Sequence, residues 1–133
     1  MVTYLKNNIE IIAEAGINHN GNYKKALKLI DIAKAANADY VKFQLFSTEN
    51  FINKNFSKKK VDYSKICKRF KSLEFTYQEW KKIINYGKNI KIKVLFSVFD
   101  LESLKILKKL KIKLIKIPSG EINNYQLLRE INK

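Results

Sequence analysis

The sequence has one cysteine, one histidine, one proline and four glycines in 133 residues. A single cysteine, Cys67, excludes an internal disulfide, and nothing else points to an oxidising compartment. Lys65, Lys68 and Arg69 lie close to it, but no histidine does, so an inert thiol is expected. His19 cannot complete a histidine-based metal site without a second histidine. In "NHNG" it reads as a turn or capping residue. With so little proline and glycine there is no interdomain linker, and one domain is expected. No stretch approaches the ~20 apolar residues of a membrane span. The N-terminal "MVTYLKNNIEIIAEAG" lacks the apolar core of a signal peptide, so a cytoplasmic protein is the expectation. G-x-G-x-x-G, G-x-x-x-x-G-K-[ST] and G-x-S-x-G are all missing, which removes the common phosphate-loop and nucleophile-elbow readings.

Acidic residues and arginine are also scarce. Asp and Glu total 12 against 27 Lys and Arg, a net charge of +15, and only Arg69 and Arg129 are arginines. Such a balance raises a polyanion partner, nucleic acid or an anionic membrane. Readers of nucleic acid favour arginine for bidentate contacts, however. The lysines here are dispersed, many of them (Lys24, Lys25, Lys28, Lys81, Lys82, Lys108, Lys109) on polar helix faces. The densest run, Lys58-Lys59-Lys60, falls in a polar connection. Solvated faces are the favoured reading. A non-catalytic basic βα domain that binds a polyanion is the alternative.

What is present is an alternation of strand and helix patterns. "IEIIAEAG" (9–16) reads as a strand. It is followed by a helix with Tyr23, Ala26, Leu27, Ile30 and Ala33 at helical spacing, capped by Asn20 or Asn22. "DYVKFQLF" (39–46) is a second strand, and a long insertion spans 47–73. Thr76 and Glu79 then form a capping box, with Phe75 and Trp80 as its hydrophobic staple and Gly87 as a plausible stop. "IKVLFSVF" (92–99) is a third strand, and Asp100 caps the helix after it. "IKLIKIPS" (112–119) is a fourth, with Asn123 and Gln126 as N-cap and N3 partner of a last helix. Four βα units imply parallel strands covered by helices. They make a small open sheet or half of a (β/α)8 barrel, which needs about 250 residues when complete.

Ligands of such folds bind at the C-terminal strand ends. Here every such end is polar: Glu14, Asn18 and His19; Lys42 and Gln44; Ser97 and Asp100; Lys116, Ser119 and Glu121. Two lysines inside β-forming runs are costly unless they face water or meet an anion. A flexible ammonium suits phosphate or carboxylate. Both outcomes stay open for Lys42 and Lys116, and Glu14 could simply pair with either.

The strings "IIAEAGINHNG", "ALKLIDIAKAANADYVKFQLF" and "IKIPSGEINNYQLLREI" occur in order over Ile11 to Lys133. Together they resemble the N-terminal half of the sialic acid synthase family, makers of N-acetylneuraminate and legionaminate. The resemblance implies a (β/α)8 TIM-barrel type fold of which residues 1–133 hold the first four βα units. The later strands and the C-terminal antifreeze-like domain are not in the sequence. It implies condensation of phosphoenolpyruvate with an N-acetylmannosamine-type 2-acetamido sugar, assisted by a divalent metal, Mn2+ or Mg2+. That metal's histidine ligands belong to the later strands. By the same resemblance Lys42, Ser97, Lys116 and Ser119 hold phosphoenolpyruvate, and Ser97 takes the place of the usual threonine. Gln44 lies beside the substrates, and Glu14 and Glu121 are the catalytic carboxylates, Glu121 as proton handler or water-orienting group. Asn18 and His19 shape the first loop. "LFSVFD" departs from the family's S-T-P-F by placing Phe96 and Val98 at that strand end. The chain alone is expected to be inactive, and to work as a homodimer or with a complementing C-terminal half. A lone half barrel leaves two unpaired edges and an exposed apolar interior, so poor solubility or dimerisation is expected. A stable, monodisperse monomer in analytical ultracentrifugation contradicts that.

Overall fold

The computed structural model describes residues 9–52 and 62–133. The Lys58–Lys60 run lies outside them. The elements run β1 (Ile12–Gly16), α1 (Tyr23–Ala35), β2 (Tyr40–Leu45), α2 (Thr48–Phe51), α3 (Tyr63–Lys71), α4 (Tyr77–Asn89), β3 (Lys93–Val98), α5 (Leu101–Lys109), β4 (Ile115–Lys116), a 3-10 turn (Ser119–Glu121) and α6 (Tyr125–Ile131). The four strands form one sheet in the order β1-β2-β3-β4, and every pair is parallel. This is the expected α/β fold of four βα units.

Among the described residues, α1, α4, α5 and α6 pack on one face of the sheet. Val41, Phe43, Leu45, Phe96 and Val98 share a core with Ala26, Ile30 and Ala33 of α1, Trp80, Ile83 and Ile84 of α4, Leu104 and Leu107 of α5, and Leu127 of α6. Strand side chains alternate between faces. Lys42, Gln44, Leu95 and Ser97 therefore point to the opposite, helix-free side. Apolar surface is left open along both edge strands, at Ile11 and Ile12 on one and Leu114 beside the other.

Local signals place the helices. The Thr76–Glu79 capping box forms in both directions. Its staple closes as well, with the Phe75 and Trp80 rings 5.0 Å apart, edge to face. Asn22 caps α1 through Lys25 N. Asp100 caps α5 through Ser103 N and also accepts from Ser47 N at 2.8 Å, so it ties the β2 exit to the β3 exit.

Three expectations need correction, and the long insertion proves partly helical. The cap of α6 is Asn124, whose side chain accepts from Leu127 N, not Asn123. Gln126 is thus one position short of N3. The fourth strand shrinks from 112–119 to two residues because it is an edge, bonded to β3 alone. Among the described residues the 47–73 insertion carries two helices. α3 buries none of its residues fully; an aromatic cluster anchors it, with Phe70 5.6 Å from Phe46 and 5.5 Å from Phe51.

Gly87, finally, does not stop α4 but lies buried inside it. A Cβ there would stand 2.7 Å from Val94 Cγ2 and 3.0 Å from Ile92 O. Glycine at this point lets α4 lie close to β3. Gly87→Ala gains about 1 kcal/mol of helix propensity but overpacks the contact, which costs about 1–3 kcal/mol. Urea denaturation should show the variant less stable; a gain in stability would mean the helix can move away freely.

Candidate functional site

The strand register assembles five of the seven predicted site residues on the helix-free face. Glu14 pairs with Lys42 across β1 and β2. Gln44 pairs with Ser97 across β2 and β3, and Ser97 with Lys116 across β3 and β4. Gln44, Ser97 and Lys116 thus form a row over three strands, with Lys42 two residues behind. Strands are about 4.8 Å apart, so the two lysines, separated by β3, flank a space suited to a small anion.

Lys42 is buried, 3% exposed. Its ammonium meets Glu14 Oε2 at 2.5 Å, and the Glu14 side chain is 57% exposed. Lys116 is exposed. The two alternatives left open by the sequence therefore divide: Lys42 sits inside with a counter-ion, and Lys116 faces water. Ser97 is fully buried, and among the described residues its Oγ has no hydrogen-bond partner. An unpaired buried hydroxyl costs about 1–3 kcal/mol. It is a vacant donor between Gln44 and Lys116.

Ser119 and Glu121 follow β4 on the 3-10 turn, at the same end of the sheet. Ser119 is exposed. Glu121 is half-buried and accepts from Asn124 Nδ2 at 2.7 Å. Neither is in the strand row. Asn124 thus both caps α6 and steadies Glu121, a role sequence reasoning missed because adjacent asparagines compete for the cap.

The β1–α1 loop covers one side of this end. β1 bulges between Glu14 and Gly16, and Gly16 takes φ 55°, a left-handed conformation. His19 then folds inward. Its Nδ1 accepts from Gly21 N at 3.1 Å, which fixes the proton of the neutral ring on Nε2. The ring stacks on Phe75 at 4.5 Å, edge-on to Trp80 at 6.1 Å. His19 is the expected turn residue, but no sequence signal showed that it is fully buried. Gly21, at φ 68°, abuts the backbone of Ser72, where a Cβ would come within 1.9 Å of the carbonyl oxygen.

Among the described residues no three His, Cys, Asp or Glu converge to hold a metal ion. No described helix is long and apolar enough to cross a membrane.

A sequence profile of the NeuB family matches residues 29–133. The chain belongs to the NeuB family. It is 42% identical over 130 residues to the N,N'-diacetyllegionaminic acid synthase of Campylobacter jejuni, covering 92% of this chain and 39% of that protein. It is 30% identical over 128 residues to the human N-acetylneuraminate-9-phosphate synthase, covering 92% and 36%. The N-acetylneuraminic acid synthetase of Leptospira borgpetersenii, solved with citrate, superposes with a TM-score of 0.77 at 32% identity, over 90% of this chain and 39% of that one. The fold therefore matches the N-terminal half of a sialic acid synthetase barrel. The chain spans less than two fifths of the length of these relatives.

His19 generates a pH dependence. Burial, and secondarily Lys25, lowers its pKa from 6.5 to about 4. The unfolded chain takes up a proton below pH 6.5 that the fold refuses. Stability is therefore unaffected above pH 6.5 and falls as pH drops from 6.5 towards 4, by on the order of 2 kcal/mol. Denaturant titrations at pH 7 and 5 should show that loss, and His19→Asn, which can still accept from Gly21 N, should show less of it. Equal losses in both proteins would remove His19 as the cause.

Proposed function

We propose that this chain provides the phosphoenolpyruvate-binding wall of a nonulosonate synthase. The synthase would condense phosphoenolpyruvate with a 2-acetamido sugar of the N-acetylmannosamine type. The observation that carries the reading is the set of side chains on that face: a buried ammonium, a buried hydroxyl without a partner among the described residues, and an exposed ammonium, on three adjacent strands. Membership of a family whose relatives are named as legionaminate and neuraminate synthases supports it.

In this reading Lys42 and Lys116 neutralise the carboxylate and phosphate of phosphoenolpyruvate, and Ser97 Oγ donates to one of those oxygens. Ser119 adds a second hydroxyl from the turn after β4. Glu14 pairs with Lys42 until the anion arrives, then is free to handle a proton beside the reacting carbons. Glu121, held by Asn124, orients the water. Gln44 faces the sugar. The bond forms between C3 of phosphoenolpyruvate and the aldehyde carbon of the open-chain sugar. Water then adds at C2, and phosphate leaves from the tetrahedral intermediate. The family's divalent metal finds no cluster of three His, Cys, Asp or Glu among the described residues. The chain alone is proposed to bind phosphoenolpyruvate without turning it over.

Isothermal titration of phosphoenolpyruvate tests the site. Lys42→Ala and Lys116→Ala should each weaken binding by about tenfold or more, the loss of one charge-assisted contact of about 1.5–3 kcal/mol. Wild-type affinity in both variants would overturn the assignment. Lys42→Met separates binding from folding: an apolar side chain of similar size fills the site, and the Glu14 left behind is more than half exposed, so no uncompensated charge stays buried, while the anion loses its partner. Ser97→Ala should bind more weakly yet be no less stable, since it deletes an unsatisfied hydroxyl.

A further inference from the structure

On the outer layer, away from the strand ends just described, α4 and α5 do not close on one another. They bound a hollow of about 300 Å3, with Tyr77, Lys81, Ile84 and Lys88 on one bank and Lys109, Leu110 and Lys111 on the other. Through Ile84 and Lys88 it continues into a second hollow of about 460 Å3 that Ile92, Val94 and Ile112 also line. The result is one groove with apolar residues along its length and lysines around them. No carboxylate lines either part. Among the described residues no ion pair engages Lys81, Lys88, Lys109 or Lys111.

Backbone conformation sets this region apart. Lys91 and Lys111, each just past a helix end, take φ 59° and 57°. Glycine or asparagine is the usual residue at such a left-handed position, and Asn37 fills the matching position after α1 at φ 57°. Two lysines thus hold strained positions on the groove. Lys88 and Lys109 fall in the last turns of α4 and α5, whose partial negative charge offsets some of the lysines' repulsion. Lys34 Nζ spans from α1 to the Lys91 carbonyl at 3.0 Å.

We propose that this groove docks an acidic amphipathic protein segment, apolar side chains along the floor and carboxylates on the lysine rim. Charge complementarity selects the occupant: a site with apolar residues between lysines and no acid suits a strip with apolar residues on one face and acids beside them. A bare polyanion would leave the floor uncovered, and an uncharged apolar segment would leave the lysines unmatched. The inference is independent of the phosphoenolpyruvate reading.

The test is fluorescence anisotropy of the full chain with a designed fluorescein-labelled peptide, leucines at i, i+3, i+4 and i+7 and glutamates elsewhere. Binding should be saturable. Lys88→Glu with Lys109→Glu should weaken it by about tenfold or more, whereas Lys24→Glu with Lys28→Glu on α1, the same loss of net charge, should change it by no more than about twofold. Ile112→Ser should weaken it without altering charge. Thermal melts confirm that each variant is folded. No binding, or equal loss from both lysine pairs, overturns the proposal. So does equal binding of a scrambled peptide or of oligothymidylate, which points to a simple polyanion surface. Self-association that the Lys88/Lys109 variant abolishes also overturns it, by assigning the groove to a second copy of the chain.

Discussion

The buried ammonium of Lys42 is the constraint to which the rest of this sheet conforms. A parallel sheet is ordinarily covered on both faces; here the helices cover one. The central strand β2 must send Val41, Phe43 and Leu45 to the helices and Lys42 and Gln44 to the other side. A slip of one residue would put Lys42 into the apolar layer beneath Trp80 and expose Phe43. The register with β1 is pinned from the other end as well, because Glu14 is the counter-ion the ammonium meets. Immediately beyond that pair β1 bulges at Ala15, and Gly16 then pairs with Phe43. The strand stays regular just long enough to deliver Glu14.

A second dependence runs from a local signal to the site loop. The Thr76–Glu79 box fixes the start of α4 and so the angle at which Phe75 and Trp80 enter the core. Trp80 packs edge-on to Phe96 of β3 at 5.1 Å, while Phe75 takes the stacked imidazole of His19. His19 in turn folds the loop after β1 through Gly21 N. A capping preference worth about 1 kcal/mol thereby helps position a loop that is remote in sequence but borders the candidate site.

Periodicity and caps made the order of elements legible, and three motif strings made the family legible. What stayed hidden depends on neighbours that only the fold supplies. "VKF" and "IKI" are equivalent as strings, yet Lys42 is buried and Lys116 exposed because β2 is flanked on both sides and β4 on one. Gly87 resembles a helix terminator; only the approach of Val94 shows it to be a packing glycine. Asn123 and Asn124 are chemically identical caps, and the backbone alone decides between them. His19 looked like surface turn chemistry, and the aromatic box around it comes from residues more than twenty positions away.

The ion pair and the unpaired hydroxyl bear differently on the proposed anion site. Ser97 Oγ is a loss already incurred on folding, recoverable by any ligand oxygen that reaches it. The Lys42–Glu14 pair is an interaction that a ligand must displace. It is displaceable because Glu14 is more than half exposed, so its carboxylate returns to water at little desolvation cost, whereas Lys42, buried, cannot. A more highly charged anion then gains on both counts: it takes over the ammonium and satisfies the hydroxyl. The asymmetry of exposure within one salt bridge is what would allow the same residue to stabilise the empty sheet and to yield to the proposed ligand.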